Sequence, residues 1–463
     1  MENKNTNLGE DKVGKLLFKL ALPAIIAQLV NVLYNIVDRV FIGRLDSGDM
    51  AIAGIGVAFP IIMIITAFSG LIGMGGAPLA AIKMGEEKKG EAEEIMTNSF
   101  SSLIILSITL TIFFLIFKEP ILWAFGASNA TIGYAKDYLS IYLLGTIFVQ
   151  VALGMNSFIN TQGFAKIGMI TVMVGALINI ILDPILIFGF NMGVKGAALA
   201  TIIAQGVSAI WVLCFLFGKR SILKIRKEFL KPRIKILLSI VALGVSPFIM
   251  QSTESLVVIS MNNSLLKYGG DLAVGAMTIM SSIMQIILLP LMGLSQGAQP
   301  IISYNYGANK IERVKKTFKL LLLISMSFTI IMWLSLMITP EIFVKMFNND
   351  INLISITSWS IRIYFAGILL LGAQLSCQQT FLSLGQAKIS LVLALLRKIV
   401  LLIPLIYILP IFFGDKLKGV LMAEPFADII AALCTISCFI FFYKKHLSNS
   451  TNKKEDEGLY DCK

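Results

Sequence analysis

The sequence predicts an all-α integral membrane protein of twelve transmembrane helices, arranged as two parallel-repeat lobes of six. Three observations predict it. The 463-residue chain is 57% hydrophobic and 14% charged, whereas soluble domains sit nearer half apolar and a quarter charged. Apolar runs of about 20 residues, the length that crosses a bilayer core, recur along the chain. Segments of the first half also reappear in the second at a nearly constant offset. A β-barrel is excluded, because barrel strands alternate in short segments and these runs do not.

The apolar runs place helices over 16–42, 51–81, 95–117, 136–160, 166–190 and 196–217, then over 234–262, 272–303, 314–338, 357–383, 388–413 and 418–443. Basic residues set the orientation. With the N-terminus inside, the inner segments carry Lys4, Lys12, Lys15, Lys19, the loop lysines 83, 88 and 89, Lys166, a cluster over 219–235, and the run from Lys310 to Lys319. The outer loops carry far fewer, among them Arg44, Lys118, Lys195 and Lys267. Both termini are therefore expected in the cytoplasm, with the chain in the cytoplasmic membrane. The expected organisation is a cytoplasmic segment 1–15, an N-lobe 16–217, a basic cytoplasmic linker 218–235, a C-lobe 236–443 and a cytoplasmic tail 444–463. The tail is polar from Ser448 on and has the composition of a disordered segment.

Composition excludes several classes. A formal charge of +12 could suggest nucleic acid, but here the charge lies in short loops between apolar runs, so no nucleic-acid partner is expected. The five cysteines form no disulfide framework. Cys434 and Cys438 are one helical turn apart, with no other metal ligand near. The single histidine, His446, excludes a multi-histidine metal centre. "GLIGMGGAP" (70–78) lacks the preceding strand and the lysine of a phosphate loop, and its small residues suit close helix packing instead.

The repeat is specific. "GGAPLAAIKMG" (75–85) and "GAQPIISYNYG" (297–307) share Gly, Pro and Gly at an offset of 222, as do "GFAKI" (163–167) and "GQAKI" (385–389), and Tyr142 and Tyr364. Pro23 meets Pro247 at 224. Six helices per half give both halves the same orientation. Parallel repeats of this kind are related by an axis along the membrane normal, with a path between them.

Two carboxylates stand inside that greasy frame. In "NIILDPILIF" (179–188) Asp183 is followed by Pro184. A charge near the middle of a membrane helix costs roughly 2.5–3.5 kcal/mol on insertion scales. Proline removes a helical hydrogen bond, here freeing the carbonyl of Ile180, which must find another partner in hydrocarbon. Asn179 is one turn before Asp183 and shares its face. Together these oxygens suit a hard cation, and a proton serves the carboxylate equally well. In "NVLYNIVDR" (31–39) Asp38 shares a stripe with Asn31, Tyr34 and Asn35, beside Arg39. At 1.5 Å per residue Asp38 is roughly 28 Å above Lys19, and Asp183 roughly 26 Å above Lys166. Thr201 lies roughly 9 Å below the outer Lys195. These three share one level, whereas Asn156 falls near the inner face.

At this point the chain resembles the multidrug and toxic compound extrusion (MATE) family. The resemblance spans about residues 15–443 and rests on the twelve helices in two like lobes, the Asp38 stretch, "NIILDPILIFGF" and "GVKGAALAT". It is similar to the bacterial and archaeal branch with acidic residues in the first lobe. The resemblance implies a cation site at Asp38, Asn179, Asp183 and Thr201, holding Na⁺ if the coupling is to sodium, with Tyr34 one turn before the aspartate. The second lobe departs from its twin. Asn262 stands where Asp38 does in the first, and Glu424, with Asp428 one turn on, stands where Thr201 does. Glu254, in the seventh helix, is the best drug-binding candidate there. Glu424 and Asp428 are expected to pack with Arg397 or Lys398.

The reading is a secondary antiporter exchanging cationic lipophilic drugs or toxins for Na⁺ or H⁺, with no cofactor beyond the coupling ion. It is expected to work as a monomer in the lipid bilayer and not as an enzyme. A lipid-linked oligosaccharide flippase of a related superfamily fits less well, since such proteins usually have more helices and a cationic cavity. An integral membrane enzyme lacks any histidine, cysteine or metal cluster on which to build.

Overall fold

The computed structural model describes residues 7–45 and 48–448. Residues 1–6, with Lys4, and the tail from Asn449 on, with Cys462, lie outside the described residues. Among the described residues there is no β-strand. The spans are α1 (Val13–Gly43), α2 (Gly48–Gly85), α3 (Lys89–Ala124), α4 (Ile132–Leu144 and Thr146–Thr161, bent by 59° at Gly145), α5 (Ala165–Gly189) and α6 (Val194–Phe217). The next stretch, Ile234–Gly307, has 74 residues, roughly 110 Å of helix and far too long for one crossing. Gly270, at φ 65°, breaks it into α7 (234–269) and α8 (271–307). Only glycine adopts that backbone freely. Then follow α9 (Ile311–Ile338), α10 (Ile351–Ser383), α11 (Ala387–Phe412) and α12 (Lys416–Leu447), with a short helix Pro340–Lys345 before α10.

Among the described residues there are therefore twelve crossings, and their ends overrun the apolar runs. α3 starts at Lys89 instead of near 95, and α2 runs on to Gly85. Lysine, glutamate and alanine form helix readily in water, so the helix continues beyond the hydrocarbon.

The repeat is written in the backbone as well. Glu87 and Asn309 have φ of 62° and 56°, and Gly163 and Gly385 have 87° and 72°, each pair 222 residues apart. The two halves meet through glycine at the end that carries the termini. A Cβ on Gly85 would come within 2.0 Å of the Tyr304 carbonyl, and one on Gly307 within 2.0 Å of the Ile82 carbonyl. Ile82 and Tyr304 are themselves 222 apart, so this contact is its own mirror, as at a two-fold axis. Gly75 faces Ile240 and Gly244, while Gly297 and Gly293 face Ala21 and Ile25 of α1. The contact reaches Phe68 against Phe248 (ring centroids 4.9 Å apart) and Gly70 against Gln251. Toward the opposite end Leu29, Leu33 and Ile36 of α1 and Leu256 and Ile259 of α7 are exposed.

Two straps reinforce the glycine end. Residues 8–11, ahead of α1, are held by the other half. Asn305 Nδ2 and Arg313 Nη2 donate to the Leu8 carbonyl at 2.9 and 3.1 Å, Lys310 to the Gly9 carbonyl at 3.0 Å, and Arg313 Nη2 to the Asp11 carbonyl at 2.7 Å. The linker after α6 is docked as well. Gln162 Oε1 accepts from Ser221 Oγ and from the backbone of Ile222 and Leu223. Glu93 pairs with Arg226 at 2.8 Å and Glu94 with Arg233 at 2.6 Å. The basic linker is thus a strap along α3 rather than a loose tether, and two of its charges are answered locally.

Two outcomes follow for experiment. With the termini inside, a maleimide applied from outside is expected to label Asp271→Cys, at the exposed start of α8, and to miss Glu228→Cys, on the exposed face of the linker; the reverse pattern overturns the orientation. Gly244→Val drives a side chain at the Leu71 carbonyl, 1.8 Å from where a Cβ would sit. It is expected to cost about 1–3 kcal/mol, the usual range for overpacking, and to lower the melting temperature. Gly133→Ala, with nothing within 4 Å, serves as the neutral control.

Candidate cation and drug site

The N-lobe residues singled out by depth come together in the structure. Asn179 and Asp183 lie on one face of α5, and Asn179 Nδ2 donates to Asp183 Oδ1 at 3.2 Å. The same amide reaches Thr201 Oγ1 of α6 at 3.5 Å, and Thr201 donates to the Ala197 carbonyl at 3.0 Å. Asp183 is fully buried, Asn179 and Thr201 nearly so. Asp38 of α1 stands within hydrogen-bonding reach of Asp183. Arg39 places its guanidinium over the ring of Phe59, 5.4 Å from the centroid. Three oxygens are left buried without a donor: Asp38 Oδ1, Asn179 Oδ1 and Asp183 Oδ2. Buried acceptors without donors are rare, and each calls for a missing partner.

Pro184 shapes the backbone beside them. Past it the helix widens into a π-helical turn, Ile185–Gly189, in which the Phe190 amide donates to the Ile185 carbonyl at 2.9 Å. Proline cannot donate, and a wider turn re-pairs the groups it leaves. Tyr34 lies within electrostatic range of both carboxylates. Asn156 is elsewhere, donating to the Gly168 carbonyl at 3.2 Å.

Sequence reasoning missed Tyr138. It is buried on α4, within hydrogen-bonding reach of Thr201 and electrostatic range of Asp38. Its ring stacks on Tyr142, with centroids 6.1 Å apart at 16°. The available signal was two tyrosines one helical turn apart in "DYLSIYLL" (137–144).

The second lobe is built differently. α11 also carries a π-helical turn, Leu396–Leu402, and on it sit Arg397 and Lys398. Arg397 donates from Nε and Nη2 to Asp428 Oδ1, each at 2.7 Å, and reaches Glu424 Oε1 at 3.5 Å. Lys398 pairs instead with Glu254 of α7 at 2.5 Å. Glu254 stands at a break, where one helical segment ends at Ser252 and the next begins at Glu254. Its side chain is 59% exposed. Asn262, at the position of Asp38, is half-buried.

Comparison with known proteins agrees with the doubled architecture. The family described as MatE matches residues 23–185 and again 244–408. The chain belongs to the MatE family. Multidrug export protein MepA of Staphylococcus haemolyticus (strain JCSC1435) is 29% identical over 434 residues, covering 94% of both chains. Among solved structures, the MATE multidrug transporter DinF-BH is 36% identical, with a TM-score of 0.87 over 96% of this chain and 99% of that one. A MATE in the bent conformation gives a TM-score of 0.90 at 22% identity over 97% of this chain and 100% of that one, which speaks to the fold. This MATE chain is thus a multi-pass membrane transporter of the multidrug efflux class and not an enzyme.

Proposed function

We propose that this transporter is a secondary antiporter that exchanges cationic lipophilic compounds for Na⁺ or H⁺ across the cytoplasmic membrane, with both termini inside. One observation carries the reading. Asp38, Asn179 and Asp183 converge from two helices and leave three buried oxygens without donors. In a low dielectric two adjacent carboxylates do not both stay charged cheaply. A cation or protons must answer them, and oxygen donors of this kind suit a hard ion. Asp38, Asn179, Asp183 and Thr201 would hold Na⁺. The alternative occupant is a proton on the carboxylates.

The closed glycine end and the exposed opposite faces fit a state open to the outside, given cytoplasmic termini. In that state the ion enters from outside, neutralises the pair and favours the opposite arrangement, so that drug leaves outward and the ion inward. It drives the cycle only through unequal affinity for the two states. Glu254, exposed at the break in α7, is the acidic contact for a drug cation.

Asp183→Asn keeps the shape and removes the charge. It is expected to abolish ion-dependent drug efflux from proteoliposomes while the protein stays folded, since it relieves a cost of roughly 2.5–3.5 kcal/mol. Asp38→Asn is expected to match it, and the double variant to be no worse, because both serve one site. Pro184→Ala, which restores a helical hydrogen bond, is expected to lower apparent ion affinity without ending transport. Sodium and pH gradients imposed separately identify the ion. Normal ion dependence in Asp183→Asn, or unfolding of that variant, makes the carboxylate structural.

Glu254→Gln is expected to weaken export of cations more than of neutral compounds. Equal loss for both, or none, removes Glu254 from the drug path.

A further inference from the structure

The C-lobe cluster does not balance. It holds three carboxylates, Glu254, Glu424 and Asp428, and two cations, Arg397 and Lys398. Fully ionised, it is one positive charge short. The shortfall is localised, because Glu424 is 4% exposed and its Oε2 is buried without any donor. Glu424 also lies within electrostatic range of Lys398 and of Glu254. A buried carboxylate oxygen without a donor is costly to keep that way.

Lys398 makes one ion pair where its neighbour Arg397 makes two. Arg397 is fixed at two atoms on Asp428 and is itself buried. Its neighbour carries a flexible four-carbon stem and a point charge that fits any acceptor. The stem is buried, with the side chain 9% exposed, yet the side chain of Glu254 is 59% exposed, and a guest cation can meet Glu254 there.

We propose that Lys398 is a tethered competitor of the transported cation: it occupies the Glu254 carboxylate in the drug-free protein and moves to the donor-free oxygen of Glu424 when a drug cation takes Glu254. The drug's single charge then completes the cluster. A neutral compound cannot displace the ammonium, so the same exchange discriminates for charge. The move also reports occupancy at Glu254 of α7 to the packing of α11 on α12. This rests on the reading of Glu254 as the contact for the drug cation, and the test separates the two.

The test is direct binding to the purified full chain, with tetraphenylphosphonium as the monovalent cation and Nile red as the neutral probe. Lys398→Met removes the competitor. The Kd for tetraphenylphosphonium is expected to fall ~3- to 5-fold, the upper end of the scale of one partly exposed ion pair, while Nile red binding stays close to wild type. Glu424→Gln takes away the alternative acceptor and is expected to weaken tetraphenylphosphonium binding by a similar factor, again sparing Nile red. Unchanged tetraphenylphosphonium affinity in Glu254→Gln overturns the Glu254 reading itself. Weakened binding there, with unchanged or weaker binding in Lys398→Met, overturns the tethered competitor alone. If Lys398→Met fails to fold, Glu424→Gln decides, and an unchanged affinity there overturns the proposal.

Discussion

A carboxylate inside a hydrocarbon layer must be answered by a positive charge or by a proton, and this chain answers in two ways. In the N-lobe, among the described residues, no ion pair reaches Asp38 or Asp183, and Arg39, next to Asp38, lies over the ring of Phe59. Asp38 and Asp183 face each other with buried oxygens that lack donors. In the C-lobe the chain supplies two cations, Arg397 and Lys398, against three acids. One half is left dependent on something from solution and the other is largely self-sufficient. The same helical frame, drawn twice, thus holds two different electrostatic problems. Helix packing tolerates that, because what the lobes share is glycine, proline and apolar surface, and what they do not share is the buried charge.

The polar groups sit where the backbone departs from a regular α-helix. Pro184 precedes one π-helical turn, and Arg397 and Lys398 lie on another. Glu254 begins a new helical segment after the break at Thr253 in α7. Such turns aim neighbouring side chains in directions that a regular helix does not allow. Arg397 and Lys398 are adjacent in sequence yet serve acids on different helices, α12 and α7. Without the wide turn the two cations would still point roughly 100° apart, but the added residue moves both relative to the helix below.

The sequence made the architecture plain because a membrane leaves few choices. Apolar length, loop charge and the repeat each constrain the fold independently, and the small residues of 70–78, Gly75 among them, already suited close helix packing. The N-lobe cluster was legible for the same reason, since a carboxylate beside a proline in a greasy run has few bland explanations and depth arithmetic brought Thr201 to the same level. Tyr138 was not legible, because a tyrosine in an apolar helix reads as packing until its hydroxyl has a partner. The Lys398–Glu254 pair joins residues 144 apart, on helices whose rotation about their own axes no periodicity fixes. The docked N-terminal residues were missed too. A short polar segment ahead of the first helix offers no periodic signal, and its partners lie some 300 positions away.

That docked segment bears on how a closed end reopens. Its acceptors are main-chain carbonyls, and two of its donor side chains, Lys310 and Arg313, reach solvent. Each carbonyl can trade its donor for water at a net cost of about 0.5–3 kcal/mol, the upper part of that range belonging to charged donors. The clasp therefore comes apart in small steps rather than in one. Because none of these bonds ends on a carboxylate, they offer ionic strength no ion pair to screen. A fastening of that kind answers to the salt around it less than a chain of ion pairs would.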